Sequence, residues 1–177
     1  GIISGPERVE PTTLRRFVDR FAHFNFADHM MRPSYGLAEA TVFVTTGQWS
    51  ETSPATHFDT GELAEGRVRR CAAGAGTALV AYDVPQSPLL RIVDSDTHRE
   101  CPDDEVGEIW VHGDNVAAGY WRKPPEDQQC FGATLSQPSS GTPAGPWLRT
   151  GDLGFVSGGQ LFIVGRIKDL LIIRGRN

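Results

Sequence analysis

The strongest constraint on this chain is its punctuation. Twenty glycines and twelve prolines are scattered along 177 residues, so few stretches run free of a breaker for long enough to make a long helix. Such spacing favours short strands joined by turns, with helix confined to the gaps. One gap is plain. After Pro11 no Gly or Pro intervenes until Pro33, and Leu14, Phe17, Val18, Phe21 and Phe24 recur at three- and four-residue spacing. Arg15, Arg16, Asp19 and Arg20 take the opposite side. The pattern predicts an amphipathic helix opened by Pro11 and packed on a sheet through its apolar stripe.

Residues 31–36 read as an exit from that helix into a turn. Residues 41–45 are β-branched and aromatic and predict a strand. Residues 46–75 are polar and broken by Gly and Pro, as in an insertion or long excursion, with Trp49, Phe58, Leu63 and Val68 as scattered apolar anchors. Beyond them the pattern predicts strands over 77–82, 89–94 and 108–112. A short helix over 128–131 and a Ser/Gly/Pro loop over 138–146 follow. Residues 153–156 and 160–164 predict a hairpin closed by Ser157, Gly158 and Gly159, and 170–173 a last strand. The fold class expected is α+β. The end of an α/β subdomain occupies 1–45, an insertion-like segment 46–75, a β-rich lobe 76–165 and a connector 166–177.

Net charge is −5, which leaves no basic excess to release phosphate counterions and argues against a nucleic-acid partner. Cys71, Cys101 and Cys130 are odd in number and form no CxxC, so neither a disulfide framework nor a zinc site is predicted, and a reducing cytoplasmic setting fits. His23, His29, His57, His98 and His112 lack ligand spacing, with His112 expected to be structural at a strand end. Trp110, Trp121 and Trp147 are expected in the β core or at its rim. No apolar run approaches the roughly 20 residues of a membrane span. The sequence opens without Met and reads as part of something longer.

Three segments carry chemistry. In Ser34-Tyr35-Gly36-Leu37-Ala38-Glu39, the glycine lets backbone amides approach an anion, and the Glu39 carboxylate suits Mg²⁺ shared with phosphate oxygens. In Arg149-Thr150-Gly151-Asp152, a carboxylate at a Gly-flanked strand start suits the hydroxyls of a ribose. In Gly165-Arg166-Ile167-Lys168-Asp169, a charged link joins two apolar strands. Each is equally an ordinary feature when taken alone: a Tyr-Gly turn, an Asp-capped turn, a polar loop.

In this order the three segments resemble the adenylate-forming superfamily of acyl-CoA synthetases, luciferases and peptide-synthetase adenylation domains. Tyr35-Gly36-Leu37-Ala38-Glu39-Ala40-Thr41 and the stretch 165–177 resemble the fatty acyl-AMP ligases of the mycobacterial type in particular. Val106-Gly107-Glu108-Ile109-Trp110 and Gly119-Tyr120-Trp121-Arg122-Lys123-Pro124 support the match, which covers essentially all of the chain.

The resemblance implies part of a large N-terminal domain whose β lobe is a distorted barrel, with ATP and Mg²⁺ bound. Tyr35 would lie against the adenine, Gly36, Leu37 and Ala38 would line the α-phosphate and acyl carboxyl, and Glu39 would hold Mg²⁺. Asp152 would bind the ribose hydroxyls, Arg166 would contact ribose and phosphate, and Lys168 would be the hinge of a C-terminal domain. Ser4-Gly5-Pro6-Glu7 would align with an adenine-contacting turn. The phosphate loop would precede Gly1 and the catalytic lysine would follow Asn177, so the segment by itself is expected to be inactive. The implied reaction joins a fatty acid to AMP and passes the acyl group to an acyl carrier protein or polyketide synthase. The insertion-like 46–75 is similar to one that CoA-forming relatives lack. A long-chain acyl-CoA synthetase and a binding module without catalysis are the alternatives.

Overall fold

The computed structural model describes residues 8–48, 55–123 and 129–169, together with the backbone of 2–4. The first part contains β1 (Ile2–Ser4), α1 (Pro11–Phe21), β2 (Met31–Tyr35) and β3 (Thr45–Thr46). Then come β4 (Thr56–Phe58), α2 (Thr60–Ala64), β5 (Thr77–Leu79) and β6 (Ala81–Asp83). The chain continues through β7 (Leu89–Val93), β8 (Gly107–His112), β9 (Leu148–Ser157) and β10 (Gln160–Arg166). Helix and sheet are thus mixed as expected. The β-rich part is an open antiparallel sheet in the order β6-β10-β9-β8-β7.

Helix α1 begins where the sequence predicts, with Pro11 in its first turn and Arg20 in its last, where a cation suits the helix dipole. Its apolar stripe is buried over the first half only. Leu14 and Val18 are inside, whereas Phe21 is 38% and Phe24 68% exposed. The cause is a change of helix type: a 3₁₀ turn over Ala22–Phe24, closed by Asn25 at φ 61°, turns the last ring away from the sheet.

Three local expectations need correction. Residues 31–35, expected as a passage into a turn, form β2, which lies between β1 and β3. Pro33 forfeits a ladder donor there, but its carbonyl still accepts from the Gly47 amide (2.8 Å) and the Thr46 hydroxyl (2.9 Å). Residues 41–44, expected as a strand, form a turn instead: Thr41 and Val42 have φ of 53° and 70°, and only Thr45–Thr46 pairs with β2. The predicted strand over 77–82 is two strands separated at Val80. β5 pairs with β4 and β6 with β10.

The polar stretch 46–75 is woven into the lobe where it is described. Strand β4 pairs antiparallel with β5, and Asp59 caps α2 by accepting from the amides of Gly61 and Glu62. Phe58 and Leu63 enter a core cluster with Leu79, Phe155 and Phe162, and Val68 packs against it. Trp49 lies outside the described residues.

The predicted hairpin is β9–β10. Its turn residues Gly158 and Gly159 both have positive φ (59° and 75°), as a two-residue hairpin turn requires. Strand β8 is buried on both faces. Ile109 and Val111 join the cluster that includes Leu14, Val18 and Tyr35, while Trp110 turns to the opposite side with Trp147, Val93 and Leu135. Trp110 and Trp147 are fully buried as expected, but Trp121 is 85% exposed and belongs to neither core nor rim.

Candidate nucleotide site

Strand β9 carries the site on a bulge. Trp110 pairs with Arg149, and the next pair toward the other end is Glu108 with Leu153. Two steps along β8 therefore match four along β9. Thr150, Gly151 and Asp152 thus face the single Ile109, a surplus of two residues that leaves the β8 ladder, with Gly151 at φ +71°. Bulges of this kind re-aim a side chain. Asp152 thus stands within a long strand, not at a strand start as the sequence suggested. Strand β10 has its own irregularity between Ile163 and Gly165, which brings Arg166 opposite Asp152.

Three of the predicted residues meet at that carboxylate. The Tyr35 hydroxyl, at the end of β2, donates to Asp152 Oδ2 at 2.8 Å, and Arg166 Nε donates to Oδ1 at 3.2 Å. Tyr35 and Asp152 are each 7% exposed, whereas the Arg166 side chain is 67% exposed. Burial raises the Tyr35 pKa well above its ordinary value, and the neighbouring Asp152 charge adds to the shift. Tyr35 therefore stays a donor. Burial also pushes the Asp152 carboxyl upward, opposed by the Tyr35 hydrogen bond and by Arg166. The Tyr35 ring lies inside the apolar cluster, so its hydroxyl is the polar feature it presents.

Glu39 is separate from this trio. It sits on a 3₁₀ turn, Ala38–Ala40, and its Oε1 accepts from the Tyr120 hydroxyl at 2.5 Å. Among the described residues no group of three or more His, Cys, Asp or Glu side chains is placed to hold a metal. A cation at Glu39 would need oxygens from elsewhere, as Mg²⁺ commonly takes from phosphates.

Gly36 has a different reason from the one expected. A Cβ there would lie 1.8 Å from the Val42 carbonyl oxygen, so glycine permits one backbone segment to press on another. The Leu37 carbonyl accepts from Ala40 and Val42, and the Tyr35 carbonyl from Val44, closing the turn. Leu37 is partly buried and Ala38 exposed. Asn115 pins this turn from the lobe. Its Nδ2 donates to the Ala40 and Phe43 carbonyls at 3.0 Å each, and Thr41 Oγ1 donates to the Asn115 carbonyl at 2.6 Å.

Residues 167–169 are helical and Lys168 is exposed among them, so the link after β10 is not an irregular loop. The expected adenine-contacting turn at Gly5, Pro6 and Glu7 and the final strand over 170–173 lie outside the described residues. Asn115, Tyr120 and Glu108 had no individual role in the sequence reading. Only Glu108 carried a visible sign, a carboxylate inside an otherwise apolar strand, where charged residues are rarely buried unless paired.

Residues 1–121 match the family model described as AMP-binding enzyme. The long-chain-fatty-acid–AMP ligase FadD23 of Mycobacterium tuberculosis is 60% identical over 176 residues, which are 99% of this chain and 30% of that protein. The putative fatty-acid–CoA ligase fadD21 of Mycobacterium leprae is 60% identical over 177 residues, 100% of this chain and 31% of that protein. A fatty acyl-adenylate ligase of L. pneumophila, solved with acyl adenylate and pyrophosphate, superposes with a TM-score of 0.84 at 37% identity, covering 98% of this chain and 30% of that one. The chain thus spans about 30% of the length of these relatives. With that match and this fold, the chain belongs to the AMP-binding enzyme family.

Proposed function

We propose that the protein carrying this segment is a fatty acyl-AMP ligase and that the segment supplies part of its nucleotide site. The observation that carries the proposal is the convergence of Tyr35 and Arg166 on one buried carboxylate, Asp152, raised on a strand bulge. A fatty-acid carboxylate oxygen attacks the α-phosphorus of ATP, a P–O bond forms, and the bond to the bridging oxygen breaks to release pyrophosphate. Negative charge gathers on phosphate oxygens, so donors and cations must already be in place. Asp152 accepts from the ribose hydroxyls, held by Tyr35, and Arg166 reaches the ribose or phosphate from its exposed position. Gly36, Leu37 and Ala38 form the backbone beside the α-phosphate. Glu39 would hold Mg²⁺, which when bound would neutralise phosphate charge.

The acceptor we propose is a carrier protein or polyketide synthase, not free CoA. Residues 55–70 are anchored in the lobe by Phe58 and Leu63, which supports a segment that limits domain rotation from a fixed position. The CoA-forming alternative is favoured by the printed names of relatives such as fadD21 and fadD25, putative fatty-acid–CoA ligases. Three free cysteines are consistent with a reducing cytoplasm, and among the described residues no helix is long and apolar enough to cross a membrane. The test is to incubate the full-length protein with ATP, Mg²⁺ and a long-chain acid, then to add CoA or a carrier protein. Acyl-AMP that persists with CoA and is consumed by the carrier supports the proposal. Prompt acyl-CoA formation moves the protein to the CoA-ligase class, and no pyrophosphate release removes the enzymatic reading.

A further inference from the structure

A second carboxylate, Glu108, underlies the bulge, and neither the family match nor the reaction assigns it a part. Its side chain is only 2% exposed, on the strand beside β9. Oε2 accepts from Trp110 Nε1 (2.9 Å) and from Arg149 Nε (2.9 Å) and Nη2 (2.8 Å), while Oε1 accepts from the Gly151 amide (3.1 Å). That amide belongs to the residues that have left the β8 ladder, so it needs a partner other than the backbone of the facing strand. Thr150 is fixed from the same strand: its hydroxyl donates to the Ile109 carbonyl (2.7 Å) and accepts from the Asp152 amide (3.1 Å). Arg149, half-shielded over the Trp110 ring at 5.6 Å, places its guanidinium against the buried Glu108 carboxylate as a countercharge.

We propose that Glu108 is a positioning residue of the nucleotide site: it holds the Gly151 amide and Arg149, so that the bulge keeps Asp152 aimed at the ribose. The proposal rests on the assignment of Asp152 to the nucleotide. A glutamate serving stability alone would satisfy that amide as well, so the two roles separate in ATP affinity, which only a positioning role ties to Asp152. The distinction matters because a glutamine cannot replace it. An amide has one oxygen and one NH₂, so one of the two sides, Arg149 with Trp110 or the Gly151 amide, would face a donor.

The test is a double-mutant cycle in the full-length enzyme, reading the Kd for ATP and the KM for fatty acid. Glu108→Gln should weaken ATP about ten-fold and leave the fatty-acid KM within about two-fold. In an Asp152→Ala background the same change should add less than about two-fold, because the group being positioned is gone. An additive effect, or an equal loss for both substrates, overturns the proposal. Should Glu108→Gln fail to fold, Gly151→Ala perturbs the same bulge differently. Gly151 has φ +71° and open space where a Cβ would stand, so only the backbone conformation is penalised. It should give the same ATP-specific loss, again absent without Asp152, and an ATP-neutral Gly151→Ala overturns the proposal. If Asp152→Ala itself leaves ATP binding unchanged, both this inference and the nucleotide assignment fall. If it weakens ATP and neither bulge variant does, this inference falls alone.

Discussion

Replacing Asp152 by Asn should separate binding from stability. The amide oxygen can still accept from the Tyr35 hydroxyl, which now donates at 2.8 Å. The ion pair with Arg166 is lost, but that side chain is 67% exposed, and pairs with so open a partner contribute only about 0–1 kcal/mol. Against this loss, the burial that pushes the Asp152 carboxyl above its ordinary 3.8 is relieved. The net change in stability at pH 7 should be within about 1 kcal/mol, with the apparent melting midpoint equal to wild type or a few degrees higher. A carboxyl with a raised folded-state pKa contributes stability that is fully present below about 3.8 and lost as pH rises through its folded value. Asparagine suffers no such loss, so the midpoint of the variant relative to wild type should climb as pH rises from about 3.8 and then level off. ATP affinity should move the other way. A hydrogen bond to a charged group contributes about 1.5–3 kcal/mol, so the loss should be roughly 10- to 150-fold. Calorimetry with ATP and melting curves across pH on the full-length protein give both numbers. Destabilisation beyond about 3 kcal/mol, or unchanged ATP affinity, would refute the reasoning.

Phe58→Ala should cost about 3–5 kcal/mol in urea unfolding, because the ring is fully buried against Phe155 (4.9 Å) and Phe162 (5.0 Å); a loss under about 1 kcal/mol would separate residues 55–70 from the lobe's core. Gly36→Ala should cost about 1–3 kcal/mol and raise the Mg²⁺ requirement, since the new methyl meets the Val42 carbonyl and must displace the turn that carries Glu39. Titration of adenylation with Mg²⁺ checks this, and an unchanged midpoint would detach Glu39 from the metal. Lys168→Ala should be mild, while Lys168→Pro, inside the helical 167–169, should impair one half-reaction far more than the other; equal loss of both half-reactions in the two variants would point to side-chain chemistry.

The parts of the fold that were legible in the sequence are those whose cause is local. Pro11 and the Leu14–Val18 spacing set α1, and two consecutive glycines at 158 and 159 set the hairpin turn. The misread parts depend on partners far along the chain. Val42 and Phe43 look like strand residues, but Gly36 lets the turn fold back on itself and Asn115, distant in sequence, pins it. Phe58 reads as an isolated anchor because the rings that enclose it, Phe155 and Phe162, lie on other strands, the nearer after 96 intervening residues. Among the candidate site residues, Tyr35, Asp152 and Arg166 were named from motif order, and the structure joins them. What joins them, a bulge of two surplus residues held by Glu108, follows from strand register, which periodicity does not reveal.

The central claim is that Asp152 recognises the ribose, and the most direct measurement compares ATP with 2′-deoxy- and 3′-deoxy-ATP on wild type and on Asp152→Ala. If Asp152 accepts from those hydroxyls, the wild-type enzyme should bind ATP about ten-fold more tightly than at least one deoxy analogue, and Asp152→Ala should bind them about equally. Discrimination that survives intact in Asp152→Ala would contradict the account, because some other group would then be reading the ribose.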